Sequence, residues 1–366
     1  MDISRTETAQ LIGHRGRVNF TRVEADAHTM EKEVLTGLRR SPKRIPPKYL
    51  YDAEGSRLFD RICELPEYYL TRAETAILKQ HGRTILDRIG PDLCIIEPGA
   101  GACGKGRLLL ETRQVSAFVP LDISTEFLRD AALDVADSFP HVSVHAVAMD
   151  FVTGLDSLRP LLPPAAKRLI FYAGSSIGNF DPPDAAWLLG RFYGLLDEGD
   201  GLLIGYDLQK DRTLLHRAYD DPEGVTASFN LNLLARFNRE LSADFDLSRF
   251  RHVAVYNEAQ SRIEMHLESL AVQRVRIGTE SVAFDSSERM HTENSYKYTV
   301  EGFDAMAAAS GFSRLEVWTD PASYFAVGLY MKDGAGGSLS LLGKPPVRGS
   351  WKRAPGHAGN GGATHR

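Results

Sequence analysis

Cys94-Ile95-Ile96-Glu97-Pro98-Gly99-Ala100-Gly101 carries an apolar run straight into a glycine turn, and Gly104 completes a GxGxxG spacing. Glycines there let the backbone approach a ligand closely, and a following helix offers unpaired N–H groups. The same turn also serves as a βα connection with no ligand. Asp122, 21 positions after Gly101, ends the next apolar run, where a carboxylate can accept hydrogen bonds from both ribose hydroxyls of an adenosine. That arrangement fits a nicotinamide dinucleotide and S-adenosylmethionine alike. Asp150-Phe151 follows the third run, and an acid plus an aromatic there suit an adenine amino group and ring face. This tilts the balance toward S-adenosylmethionine, although Asp is also a common helix cap. Lys105 sets a cation just after the turn, where a methionine carboxylate or a diphosphate would lie, unless it is simply solvated.

The elements that must position these residues follow from the patterning. From about residue 92, short apolar runs alternate with amphipathic stretches, the sign of βα units and a mainly parallel sheet. Strands are expected at 93–97, 117–122, 142–149, 168–174 and 201–207, with helices near 105–114, 125–138 and 183–197. Residues 210–295 break the rhythm, with a helical stretch over 214–241 and β-like runs at 252–256, 262–275 and 281–284. A helix at 302–310 and strands at 314–319 and 324–331 then resume it and complete a seven-stranded sheet. The expected organisation is an α/β, Rossmann-like domain over 1–209 and 296–331, an inserted α+β substrate-binding domain over 210–295, and a flexible Gly/Pro-rich tail over 332–366. The first 40 residues are polar and weakly patterned. The aromatics of 41–51 and 65–69 have the density of a lid or wall.

Composition narrows the class. Of 366 residues, 43% are hydrophobic and 25% charged, an ordinary globular balance. With 43 basic and 48 acidic side chains the net charge is −5, without the basic excess of a nucleic-acid binder. Cys63, Cys94 and Cys103 leave one thiol unpaired in any disulfide scheme and are too sparse for a four-ligand zinc site, which points to a cytoplasmic protein. The N-terminus lacks the apolar core of a signal peptide, and no run of about 18 apolar residues could span a membrane. With no heptad run in view, a monomer is expected.

Further motifs carry a resemblance. Pro46-Pro47-Lys48-Tyr49-Leu50-Tyr51-Asp52, Gly55-Ser56, Leu58-Phe59 and Leu65-Pro66-Glu67-Tyr68-Tyr69-Leu70-Thr71-Arg72-Ala73-Glu74 resemble the N-terminal signature of the histidine-specific methyltransferases of ergothioneine biosynthesis. The resemblance runs on through Ile177-Gly178-Asn179, Ala218-Tyr219-Asp220-Asp221, Ile263-Glu264-Met265 and Thr292-Glu293-Asn294-Ser295-Tyr296-Lys297, covering about 41–331. It implies a class I methyltransferase domain, S-adenosylmethionine as methyl donor, and three methylations of the L-histidine α-amine to give hercynine. By position, Gly99, Lys105, Asp122, Asp150 and Phe151 match the family's S-adenosylmethionine contacts. The histidine contacts fall on Tyr51, Tyr68, Asn179, Tyr219, Met265, Glu293 and Ser295, with Asn and Tyr on the carboxylate and Glu with Ser on the imidazole. Pro98, Ala100 and Gly106 depart from the family pattern, which more often shows Leu or Phe, Ser, and Thr or Ser there.

The chemistry implied is an in-line displacement at a sulfonium methyl, which needs a positioned neutral amine and no metal. Tyr51 and Tyr68 are the candidates for orienting that amine; as isolated residues both would read as packing aromatics. Glu293 alone would read as a solvated acid, Met265 as core and Asn179 as a turn residue. Three other functions share parts of the pattern: methylation of another amine, nicotinamide-dependent oxidoreduction lacking a matched His–acid pair, and a regulator that binds without turnover.

Overall fold

Leu93–Pro98 is buried at every position, as is Gly201–Asp207, and such continuous burial marks strands covered on both faces. The computed structural model describes residues 6–23 and 27–332. Its strands, in chain order, are β1 (Thr6–Ile12), β2 (Arg17–Val23), β3 (Lys43–Arg44), β4 (Leu93–Pro98), β5 (Val115–Asp122), β6 (Ser143–Ala148), β7 (Lys167–Tyr172) and β8 (Gly201–Asp207). There follow β9 (Phe250–Asn257), β10 (Arg262–Ser269), β11 (Gln273–Ile277), β12 (Glu280–Phe284), β13 (Arg289–Tyr296), β14 (Ser313–Thr319) and β15 (Phe325–Met331).

The main sheet runs β1-β2-β6-β5-β4-β7-β8-β15-β14. Strands β6 through β8 pair in parallel, and β15 lies antiparallel against β8. All seven strands expected from the sequence are present in this α/β, Rossmann-like sheet. Two more extend it: β1 and β2 form a hairpin, with β2 parallel to β6. The chain leaves β4 toward β5 on one side and returns through β7 on the other. The carboxyl ends of β4 and β7 therefore flank the switch point where open α/β sheets bind ligands.

The second sheet runs β3-β13-β10-β9. The helical stretch expected over 214–241 is two helices, Arg212–Tyr219 and Val225–Glu240. Asp221 breaks it by accepting the amides of Val225 and Thr226 at 2.9 and 2.8 Å, and Gly224 takes a left-handed φ of 70°. The run expected over 262–275 is likewise two strands, β10 and β11, parted at Leu270, which is exposed. Residues before the main sheet's core join this unit: β3 pairs with β13, and the helix Ala53–Glu64 packs on Val225–Glu240. Of the expected tail, 333–366 lies outside the described residues; Lys332 donates to the carbonyls of Tyr193 and Leu196 at 3.0 and 2.8 Å.

Candidate functional site

Tyr51 directly precedes Asp52, which caps the helix Ala53–Glu64 by accepting the Gly55 amide at 2.8 Å. Asn232 and Arg239 also reach Asp52, at 2.7 and 2.5 Å, and so tie the Tyr51 turn to the helix Val225–Glu240. Tyr68 stands at the N-cap of the helix Tyr69–Ile89, and Tyr219 ends the helix Arg212–Tyr219. Asn179 closes the turn Ser176–Asn179 after β7. On the second sheet, Met265 of β10 sits opposite Glu293 of β13, and Thr292 is bulged out of the register with its hydroxyl donating to the Met265 carbonyl at 3.0 Å. Ser295 is two residues on, so it shares the Glu293 face.

These seven residues line one cavity, together with Phe59, Phe229, Gly174 and Ser175. Asn179 donates to Glu293 Oε1 at 3.0 Å and Tyr51 donates to the same oxygen at 3.3 Å. Tyr219 and Ser295 hydroxyls lie 2.7 Å apart. Tyr68 packs edge-on against Tyr219, with ring centroids 6.0 Å apart. Among the described residues its hydroxyl has no hydrogen-bond partner. Burial, then the Glu293 charge, holds the Tyr51 hydroxyl well above its ordinary pKa, and burial does the same to Tyr68. Both remain O–H groups at neutral pH, able to orient an amine but not to act as phenolate bases.

The cofactor candidates gather at the carboxyl ends of β4, β5 and β6. Gly99 and Gly101 both take positive φ, 69° and 52°. A Cβ built on Gly101 or Gly104 would meet nothing within 4 Å, so the turn leaves open room above its backbone. Asp122 fixes the turn by accepting the Gly101 amide at 2.9 Å, and also accepts the Ser124 amide at 2.9 Å. Asp150 accepts the Val152 amide at 3.1 Å as a helix cap and is paired with Lys48 at 3.1 Å. The Phe151 ring edge lies 3.9 Å from where a Gly99 Cβ would stand.

Lys105 is half-buried and ion-paired. It pairs at 2.6 Å with Glu74, whose side chain is fully buried and which also accepts the Gly174 amide. A Cβ on Gly174 would lie 3.2 Å from the Lys105 ammonium, so this cation stands where the glycine turn meets the cavity. Among the residues that sequence reasoning missed, Glu74, Glu97, Asp207, Lys210 and Lys297 form the buried charge beneath both halves of the site. The available signal was an acid ending each of β5 and β8, and Glu97 near the end of β4.

The departure at Gly106 has a steric reason. A Cβ there would stand 2.3 Å from Glu97 Oε2 and 2.9 Å from the Phe118 ring. Gly106→Ser is expected to cost about 1–3 kcal/mol by overpacking, read as a lowered Tm in thermal unfolding.

Burial pushes the Glu293 carboxyl up to about 8, against the Tyr51 hydrogen bond and Lys297. Burial, reinforced by Glu74, pushes Glu97 up to about 8 as well, against the pull of Lys105. In the folded chain these acids hold protons that the unfolded chain, near 4.5, releases. Their ionisation therefore costs nothing below about 4.5 and its full amount above about 8, so stability falls as pH rises through that window. Glu293→Gln should flatten the fall, measured as Tm against pH; parallel curves for both proteins would refute the assignment.

A sequence model described as histidine-specific methyltransferase, SAM-dependent, matches residues 30–332. The histidine N-alpha-methyltransferase of Mycobacterium tuberculosis is 42% identical to this chain, covering 83% of it and 95% of the relative. That of Mycolicibacterium smegmatis is 40% identical, covering 86% and 98%. Ergothioneine biosynthesis protein 1 of Neurospora crassa is 32% identical over 82% of this chain and 34% of its own length.

Proposed function

Since the chain belongs to the histidine-specific, S-adenosylmethionine-dependent methyltransferases, we propose that it methylates the α-amine of L-histidine three times, giving hercynine for ergothioneine synthesis. The single observation that carries this is the cavity in which buried Glu293, held by Asn179 and Tyr51, shares a lining with Gly174, beside which the Lys105 ammonium stands.

When bound, S-adenosylmethionine supplies an electrophilic methyl group on a sulfonium sulfur. The open backbone of Gly99 and Gly101 suits its close approach, Asp122 its ribose hydroxyls, Lys105 its methionine carboxylate, and Asp150 with Phe151 its adenine. Asn179 and Tyr219 are assigned to the substrate carboxylate, Glu293 and Ser295 to the imidazole, and Met265 packs against the ring. Before the first transfer Tyr51 and Tyr68 accept the two amine N–H groups through their hydroxyl oxygens, aiming the nitrogen lone pair toward the methyl group; one such bond remains for the second transfer, and the third rests on the fit of the dimethylamine between the two rings. The ammonium proton leaves to solvent before each transfer, because neither tyrosine accepts it. An inserted substrate-binding unit over 210–295, helped by β3 and the Ala53–Glu64 helix, closes the cavity from above.

A cytoplasmic monomer suits this role. Cys63, Cys94 and Cys103 are unpaired thiols, and the large exposed apolar residues Ile12, Leu270, Val272 and Leu315 are scattered rather than gathered into one run. No helix among the described residues is long and apolar enough to cross a membrane, and the net charge gives no footing for nucleic acid.

The test is mass spectrometry of the protein incubated with S-adenosylmethionine and each of the twenty amino acids. Trimethylated histidine alone is expected. Methylation of a different amino acid would overturn the pocket assignment while keeping the donor.

A further inference from the structure

Beneath the cavity floor lies a charge cluster to which methyl transfer has so far given no task. The side chains of Lys297 and Asp207 are fully buried and pair at 2.9 Å. Lys210 meets the other Asp207 oxygen at 2.6 Å, and Tyr69 donates to Asp207 at 2.7 Å. Two ammonium groups against one carboxylate leave a positive charge in excess.

All three N–H groups of Lys297 are committed: to Asp207, to the Tyr219 hydroxyl oxygen at 2.9 Å, and to Ser295 Oγ at 2.6 Å. Both hydroxyls thus accept from Lys297, and one hydroxyl proton is spent between them, since they lie 2.7 Å apart. The remaining hydroxyl proton points into the cavity. With Tyr219 donating to Ser295, that proton is the Ser295 hydroxyl's, and it faces the imidazole as a donor with positive charge behind it. Two residues away on the same face of β13, Glu293 uses Oε1 for Tyr51 and Asn179. Its Oε2 has no hydrogen-bond partner among the described residues: it holds the Glu293 proton in the free protein below about 8 and is left to accept once Glu293 is ionised.

A neutral imidazole carries one N–H and one bare nitrogen, matching an acceptor and a donor at once. An imidazolium carries two N–H groups and offers nothing to the donor. We infer that Lys297 is a positioning residue that fixes the Ser295–Tyr219 wall as a donor and so makes the site select histidine with an uncharged side chain. This rests on the histidine reading above and specifies how that same pocket discriminates. The titratable groups that line the cavity are Glu293, Tyr51, Tyr68 and Tyr219; those that face Lys297 are Asp207, Tyr219 and, through Asp207, Lys210 and Tyr69.

Lys297→Met tests it without stranding a buried carboxylate, because Asp207 keeps Lys210. With wild type, kcat/KM for histidine should fall as pH drops through the imidazole range near 6.5, the loss carried by KM. In Lys297→Met the Ser295 hydroxyl is free to turn and accept from an imidazolium. The acid limb should then move to lower pH, and KM at pH 8 should rise on the order of 10-fold. Direction matters, since removing Lys297 also raises Glu293. A limb set by Glu293 ionisation would therefore move to higher pH, and that result, or an unmoved limb, overturns the role of Lys297. A second measurement needs no variant: 15N NMR of imidazole-labelled histidine bound to wild type with S-adenosylhomocysteine. The bound ring should stay neutral at pH 6, and a bound imidazolium would overturn the inference. Wild type that binds the donor yet methylates no histidine removes the substrate reading and this inference with it, whereas active wild type with an unmoved limb removes the inference alone.

Discussion

Glu293→Ala should raise KM for histidine on the order of 100-fold while leaving the Kd for S-adenosylmethionine within about threefold of wild type. The carboxylate is buried, and Oε1 accepts from Asn179 and Tyr51 at 3.0 and 3.3 Å. Truncation strands three donors at once: the Asn179 amide, the Tyr51 hydroxyl and the imidazole N–H. Each neutral donor left unpaired in a buried site costs about 1–3 kcal/mol. The amide and hydroxyl can turn toward entering water, so the ligand bears most of the loss. The enlarged apolar space should also narrow the preference for histidine over phenylalanine. Steady-state kinetics on both amino acids and calorimetric titration of the donor check the result. Equal weakening of both ligands would mean that Glu293 supports the fold rather than the pocket.

The parallel core was legible because burial on both faces leaves no polar alternation: β4 and β8 read as unbroken apolar runs. The same logic hid two other strands. Strand β1 is exposed at nearly every position at the sheet edge, so it carries no apolar face to detect. Strand β13 is buried at every position after the first, yet its middle reads Thr292-Glu293-Asn294-Ser295, a polar stretch that periodicity assigns to a loop. That strand holds two of the cavity's polar groups, so the failure falls where binding chemistry overrides patterning.

Site residues divide in a similar way. Those that line the cavity stand in long ordered motifs, and resemblance found them. The charges under the floor received no role, although Glu74 and Lys297 close two of the same motifs, because a charged side chain in sequence is most often solvated. Only the fold brings Asp207 from the end of β8 to Lys297, which directly follows β13, and brings Glu74 to Lys105. Lys105 in sequence alone suits a ligand contact and a solvated lysine equally, and its pairing with a fully buried carboxylate favours the first.

Asp122→Ala should do the reverse of Glu293→Ala, weakening S-adenosylmethionine on the order of 100-fold with histidine KM little changed at saturating donor. Asp122 has two tasks in one carboxylate. It holds the Gly101 amide at 2.9 Å, which keeps Gly101 at its positive φ, and it anchors the Ser124 amide at 2.9 Å ahead of the helix Thr125–Ser138. Its outward lone pairs remain for the two ribose hydroxyls. Charge-assisted bonds of this kind are worth about 1.5–3 kcal/mol each, so losing two accounts for the expected factor. Burial raises the Asp122 pKa and its backbone donors lower it. Asp122→Asn separates the two tasks. An amide keeps one acceptor oxygen, so it can still hold the Gly101 turn, but it sets its NH2 where the Ser124 amide was accepted and offers the ribose a donor in place of an acceptor. If turn geometry dominates, Asn should recover most of the affinity in calorimetric titration. If ribose contact dominates, Asn should bind as poorly as Ala, with Tm restored toward wild type. Unchanged donor affinity in both variants would displace Asp122 from the cofactor site and, with it, the placement of the adenosine at the end of β5.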